Sequence, residues 1–296
     1  MSWLKSLKGA IAHLNPAEVG EQAARPVRIG VHAATDLSYF HIESFFVPAT
    51  YSDQRRVKAE RFLERVEPGA HGESLHRVFD VEIHTEGAGE PPGSIPFSFS
   101  EPERTVRQIL AEKPELALPL ARALAPFREP VTSHIIHSVA KENAVFSLAT
   151  ALPDAVPFLS LPWVAGEFAS DTAVLTANQV RMAFLLAGAS DRDIGYREQR
   201  AEIASLIAGA FGWRSLAREL AGHIPFGGGL IPKAAIAYAG TWVVGRSIER
   251  YYRLGYGLTR AERRAAYDSA IEKGKKIAAA VLRARDRSRA LSRQPG

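Results

Sequence analysis

His134 and His137 stand one helical turn apart, with Glu142 two turns beyond His134. Two imidazoles at that spacing can share a metal ion, but zinc takes three or four ligands. No further His, Asp or Glu cluster follows, so the plainer reading is a pair of surface or core-edge histidines. Asp36, Ser38 and His41 supply the residue types of a nucleophilic triad. Closeness in sequence is not triad geometry, and no G-x-S-x-G elbow presents a serine. Asn178 and Gln179 fall in the middle of an apolar helical stretch, where they are expected to bond to neighbouring backbone. Asp171, just ahead, reads as the N-cap of that helix.

The segment Ile224-Pro-Phe-Gly-Gly-Gly-Leu-Ile-Pro232 is the strongest candidate for anion chemistry. Successive amides before a helix N-terminus attract phosphate, and Lys233 follows Gly227, Gly228 and Gly229. The fixed spacing G-x-x-x-x-G-K-[ST], which aims lysine and hydroxyl at phosphates and magnesium, occurs nowhere in the chain. A flexible turn between two apolar helices is the plainer reading of the glycines. No catalytic residue, cofactor or metal ligand is assigned. Anion or interface contacts are instead expected from Gly227, Gly228, Gly229, Lys233, Arg246, Arg250, Arg283, Arg285, Arg287 and Arg289.

That assignment follows from the charge distribution. The 296 residues carry a net charge of +5, yet Arg246 to Arg293 holds fourteen Lys and Arg against five Asp and Glu. The remainder is therefore slightly acidic. A concentrated basic end draws phosphate groups on lipid, nucleic acid or an acidic partner; a solvated helix face is the plainer alternative. The run lacks the interleaved aromatic platforms of single-strand binders, so nucleic acid is the weaker partner. There is no cysteine, which excludes disulfides and thiolate metal sites. The length can bury a large core and suits two structural units.

The elements that would position these residues differ along the chain. Trp3, Leu4, Leu7, Ile11 and Leu14 are spaced as an amphipathic helix with Lys5 and Lys8 between them, not as a secretory signal. Such a helix caps a core or lies on a membrane surface. Val27 to His32 and Arg77 to His84 alternate as strands. Ser52 to Val66 reads as an exposed helix, and Ile95 to Phe99 as an edge strand because Pro96 lacks an amide. From Ser100 the period becomes helical. Ser100 with Glu103 and Thr259 with Glu262 fit capping boxes, while Pro114, Pro126 and Pro130 punctuate short helices.

The fold class is thus α+β, mostly α. A small α/β unit with the N-terminal helix (1–99) precedes a multi-helix domain (100–282), which holds a glycine-rich helical hairpin. A basic tail (283–296) is expected to fray.

Between Glu219 and Arg246 only Lys233 is strongly charged. Apolar side chains gain about 0.3 to 0.6 kcal/mol each at the centre of a membrane helix, whereas one lysine costs roughly 2.5 to 3.5. Seven large apolar residues there about cancel Lys233, and three glycines with two prolines oppose one continuous span. A compact hairpin is expected instead. Ala237, Thr241 and Gly245 form a small face that admits a second backbone, in protein or in shallow lipid.

Ala151-Leu-Pro-Asp-Ala-Val-Pro157, Asp171 to Met182, Ile224 to Pro232 and Ala239 to Tyr251 together resemble a bacterial helical domain of unknown function. That domain is found behind Era-like GTPase domains and in YcjF-type inner-membrane proteins. The resemblance covers about residues 130 to 282. It implies association with GTPases and membranes, and offers no catalytic residues. It also implies that Val27 to Val31 corresponds to the first strand of a GTPase domain. The following loop, His32-Ala-Ala-Thr-Asp-Leu-Ser-Tyr39, lacks glycine-lysine-serine, so that unit reads as a remnant with a degenerate P-loop. The expected function is a non-enzymatic scaffold or adaptor, cytoplasmic or peripheral at the inner membrane. It would engage a membrane surface, a GTPase partner or copies of itself. The alternatives are a nucleotide hydrolase with a nonstandard phosphate site and a nucleic-acid binder using the basic tail.

Overall fold

The computed structural model describes residues 9–66, 79–151, 171–207 and 230–291. The fold is α+β and mostly helical, with one small parallel sheet. The chain divides into two compact units, and the boundary falls inside a helix, between Ser133 and His134.

The first unit comprises Glu18–Ser133 with Gly188–Asp193. Its strands are β1 (Ile29–His32), β2 (Leu63–Val66), β3 (Val81–His84) and β4 (Ile95–Pro96), all parallel in the order β2-β1-β3-β4. Ile29 aligns with Leu63 on one side and Val81 on the other. As the inner strand, β1 buries all four residues instead of alternating, as parallel strands covered on both faces do. Pro96 lies on the outermost strand, where its missing amide breaks no ladder. Helix α1 (Pro16–Ala24) precedes the sheet; α2 (Asp36–Phe46) and α3 (Asp53–Glu60) connect β1 to β2.

Two local expectations change here. The stretch 52–66 splits, because Leu63 to Val66 pair with β1; a ladder partner outweighs a helical apolar pattern. Ser100 and Glu103 form no capping box. Helix α4 (Pro102–Glu112) starts on Pro102, whose fixed φ suits a first helical position, with Glu101 at the N-cap. The Glu101 amide donates instead to Ser98 Oγ (3.2 Å), and Thr105 Oγ1 accepts from the Ser98 amide (3.2 Å).

After a short 3-10 turn come α5 (Ala117–Ala123) and α6 (Ala125–Ala151). Pro130 does not end α6. It lies near the start, where its absent amide costs one bond while Phe127, Val131 and Ile136 are buried around it. The Phe127 ring stacks on Phe46 at 5.7 Å, and Phe45 meets Phe97 edge-on at 5.9 Å. Burying each such side chain contributes about 1.5–3 kcal/mol. This packing carries the α/β unit past residue 99 to Ser133, further than the change in periodicity suggests.

The second unit comprises Met1–Ala17, His134–Ala187 and Ile194–Gly296. It contains the rest of α6, α7 (Asp171–Ala189, up to Ala187), α8 (Leu230–Leu254) and α9 (Arg260–Leu291). Its core joins Ala140, Ala144 and Leu148 of α6 to Ala234, Tyr238, Ala239 and Val243 of α8 and to Tyr267, Ala270 and Ala278 of α9. Alanines at these positions let the axes approach. One close approach is at Gly274, where a Cβ would lie 2.8 Å from Ala235 Cα.

The glycine turn of the expected hairpin, Gly227 to Gly229, lies outside the described residues, as do the 151–157 prolines and Trp213 to Leu220. Helix α8 follows those glycines and pairs with α9 through a different turn, at Gly255. Of the small face read from sequence, Gly245 packs on Ile136 and Met182. Residues 9–12 of the N-terminal segment are helical, whereas Trp3, Leu4 and Leu7 lie outside the described residues. The Tyr196 hydroxyl holds this segment, lying 2.6 and 2.8 Å from the carbonyls of Ile11 and Leu14. Helix α9 continues to Leu291, beyond the point where fraying was expected.

Candidate functional site

The α8–α9 turn carries Tyr251, Leu254 and Tyr256, three of the exposed large apolar side chains described in the helical unit, with Tyr196 and Ile231 exposed outside it. Helix α8 ends at Leu254, and Gly255 takes φ +84° while its amide donates to the Tyr251 carbonyl at 2.8 Å. A left-handed residue in this position is the usual glycine C-cap. The Leu258 amide then donates to Ser247 Oγ at 3.2 Å. The capping box read from sequence is formed in full. The Glu262 amide donates to Thr259 Oγ1 (3.3 Å), and the Thr259 amide donates back to Glu262 Oε2 (2.8 Å).

Arg250 donates to Glu262 at 2.5 Å and also lies 5.1 Å above the Tyr256 ring. Those hydrogen bonds, the one from Arg250 foremost and those from Thr259 next, pull the Glu262 carboxyl down to about 2. On this braced turn Tyr251, Leu254 and Tyr256 are 41%, 47% and 56% exposed. Arg253, Arg260, Arg263 and Arg264 are exposed around them.

Behind the turn is a cavity of about 420 Å³. Val243, Val244, Ile248 and Tyr251 of α8 form one wall, Leu206 the other, and Arg263 and Glu202 stand at polar positions. Gln179 of α7 also lines it and leads into a buried polar chain. Gln179 Nε2 donates to Thr241 Oγ1 (3.3 Å), and Asn143 Nδ2 donates to the same oxygen (2.8 Å). Asn178 Nδ2 donates to Asn143 Oδ1 (2.7 Å). Asn143, Asn178 and Thr241 are essentially inaccessible. Asn178 and Gln179 therefore bond across helices, not to their own backbone, because the tertiary fold brings Asn143 and Thr241 within reach. Amides and a hydroxyl hold no proton that titrates near neutrality, so this chain fixes helix register rather than relaying protons.

The histidine pair does not converge on a metal. His134 Nε2 faces Ser138 Oγ at 3.3 Å, and His137 Nδ1 bonds the Tyr238 hydroxyl at 2.9 Å. Glu142 is paired with Arg181. Burial, and then the charge of Lys141, lower the His137 pKa; burial pushes Tyr238 up to about 12. Among the described residues no group of three or more His, Asp or Glu is placed to hold a metal ion.

In the α/β unit the strand order changes direction at β1 and β3, and ligands of open α/β sheets bind at the carboxyl ends beside such a switch. Here the chain's own side chains occupy those groups. The Ala34 amide donates to Thr85 Oγ1 (3.0 Å), the Thr85 amide to the His32 carbonyl (2.9 Å) and the Ser38 amide to Thr35 Oγ1 (3.1 Å). His32 Nε2 pairs with Glu82 at 3.0 Å. The triad residues diverge: Asp36 pairs with Arg65 (2.6 Å), Ser38 bonds Thr35, and His41 lies beside the Phe40 and Phe99 rings.

The expected anion contacts are dispersed. Lys233 reaches toward Thr150 Oγ1 at 3.4 Å. Arg246 lies 3.8 Å from Glu249, and Arg250 is engaged by Glu262. Arg283 and Arg287 are exposed on α9, Arg285 lies 3.8 Å from Asp286, and the Arg289 side chain is outside the described residues. Sequence reasoning passed over Tyr251, Leu254 and Tyr256. The available signal was Tyr251-Tyr-Arg-Leu-Gly-Tyr256, where apolar residues outnumber the positions one helix face can bury. Among the described residues no helix is long and apolar enough to cross a membrane. Compared with protein families, curated proteins and solved structures, the chain matches none.

Proposed function

We propose that this chain is an adaptor, not an enzyme, and that it docks on an anionic membrane surface through the α8–α9 turn. The observation that carries this reading is the exposed Tyr251, Leu254 and Tyr256 cluster on a braced turn, ringed by Arg253, Arg260, Arg263 and Arg264. Tyrosine favours the membrane interface, where its ring meets acyl chains and its hydroxyl meets water. Each arginine near an anionic leaflet adds about 1 kcal/mol. Arg253 is paired with Glu249 at 3.4 Å, so Arg260, Arg263 and Arg264 add roughly 3 kcal/mol before any apolar contact. The cavity behind the turn gives an inserted apolar group a place to go.

Vesicle flotation tests the proposal. The protein is expected to float with vesicles containing anionic phospholipid, to detach as salt rises through the range that screens surface charge, and to ignore neutral vesicles. Replacing Tyr251, Leu254 and Tyr256 together by serine is expected to abolish flotation while leaving the helical circular dichroism unchanged. Wild-type protein that stays with the soluble fraction on anionic vesicles overturns the proposal. So does a triple variant that floats as wild type does.

A further inference from the structure

A second cavity, of about 390 Å³, opens in the α/β unit at the amino ends of β1 and β2. It is distinct from the sheet's carboxyl edge, where the Ala34, Ser38 and Thr85 amides are already bonded. Five of its lining residues are cations: Arg28, which immediately precedes β1, Arg55, Lys58 and Arg61 from α3 and its end, and Arg122 of α5.

Two carboxylates face these five. Glu64 pairs with Arg28 at 2.8 Å. Asp191 lies between Arg55 (3.8 Å) and Arg122 (3.6 Å). Three positive charges are left over. Asp191 has φ +56°, a left-handed backbone that aspartate and asparagine adopt more readily than most residues.

Arg55 carries the most direct sign of a missing acceptor. Its Nε and Nη2 are inaccessible to solvent and have no hydrogen-bond partner, although Asp191 is nearby. The guanidinium is held in place by the Tyr51 ring, 4.5 Å below it. Buried donors without acceptors are destabilising; solvent does not reach these two, so an anion in the cavity meets them only once the Arg55 side chain turns toward it. The rest of the lining, Val27, Phe62 and Pro119 included, is apolar, and the cationic groups make charge-assisted bonds of the kind that phosphate oxygens accept. The volume lies in the range of small-molecule sites, about 300–1,000 Å³.

We infer that this cavity binds a small soluble polyanion bearing at least two phosphate groups. Arg55 and Arg122 grip one phosphate beside Asp191, and Lys58 and Arg61 neutralise the other. The site is separate from the membrane-docking turn and stands without it.

Calorimetric titration of the full chain with inorganic pyrophosphate provides the test. Saturable binding is expected, much tighter than that of sulfate at equal ionic strength. The double substitution Lys58→Ala with Arg61→Ala alters only exposed side chains. It is expected to weaken pyrophosphate roughly tenfold or more, the loss typical of a charge-assisted contact, with an unchanged melting temperature. Asp191→Asn keeps a residue that tolerates left-handed backbone and removes the internal counter-charge, so pyrophosphate should bind several-fold more tightly. The absence of saturable heat, or equal affinity in parent and double variant, overturns the assignment. If the double variant instead loses only its attachment to vesicles carrying phosphorylated headgroups, the cavity reads lipid and the soluble ligand is excluded.

Discussion

Substituting Gly274 by alanine tests how closely α8 and α9 are obliged to pack. In an exposed helix this change gains about 0.8–1.0 kcal/mol through backbone entropy and propensity. At Gly274 the added Cβ would stand 2.8 Å from Ala235 Cα, 2.9 Å from its carbonyl oxygen and 3.0 Å from Tyr238 Cβ. Ordinary contact begins at 3.4 Å, so α8 must retreat by the difference between 2.8 and 3.4 Å. Two of the three obstructing atoms are backbone, so no rotamer change relieves them. The retreat loosens Tyr238, Ala270 and Ala278, all buried in the same cluster.

Overpacking a well-filled core costs typically about 1–3 kcal/mol. Backbone obstruction puts this site at the upper end. With the propensity gain subtracted, the net loss is about 2 kcal/mol. At about 2–4 °C per kcal/mol for a unit of this size, melting should fall by roughly 4–8 °C. Thermal denaturation followed by far-ultraviolet circular dichroism reads this directly. Adding Ala235→Gly must not rescue the variant, because the obstructing atoms of residue 235 remain after its methyl is removed. As a control, a Cβ added at Gly20 in α1 would meet no atom within 4 Å, and Gly20→Ala should stabilise by up to about 1 kcal/mol. A Gly274→Ala protein as stable as wild type, or rescue by Ala235→Gly, would refute the close-approach argument.

Other expectations follow from the same geometry. Thr241→Val removes the oxygen that accepts from both Asn143 and Gln179, leaving buried donors unpaired at about 1–3 kcal/mol each; a urea midpoint equal to wild type would contradict this. Because the Glu262 carboxyl is held down at about 2 from its ordinary 4.5, its contribution is complete above about 4.5 and disappears as pH falls toward 2. Comparing urea midpoints of Glu262→Gln and wild type should show a gap at neutral pH that closes in acid. His137 has a lowered pKa, so the folded state prefers it neutral, and stability should decline as pH falls below its ordinary 6.5. A His137→Gln protein should lack that component, measured by the same titration.

The parallel pairing of β1 and β3 was not readable in the residues, whereas the presence of strands there, the edge position of Pro96 and the Thr259–Glu262 capping box were. Each depends on neighbours a few positions apart, through alternation, a missing amide or a reciprocal cap. The strand Leu63 to Val66 was not readable, because its conformation is imposed by β1, two helices away along the chain. The Ser100 box failed for a local reason, since Pro102 starts the helix later. At the candidate site, the exposed tyrosines could be named from sequence only once the buried face of α8 was known.

By itself the sequence determined the fold class, the basic C-terminal helix and the lack of any phosphate-loop motif, since composition and short-range periodicity require no partner. Tertiary structure alone decided which polar groups meet. Asn143, Asn178, Gln179 and Thr241 come together from three helices, and Arg28, Arg55 and Arg122 converge on one cavity from separate elements. The physical reason is that hydrogen bonds and Coulomb attraction act over a few ångströms in space, and distance along the chain carries no information about them until the backbone has closed.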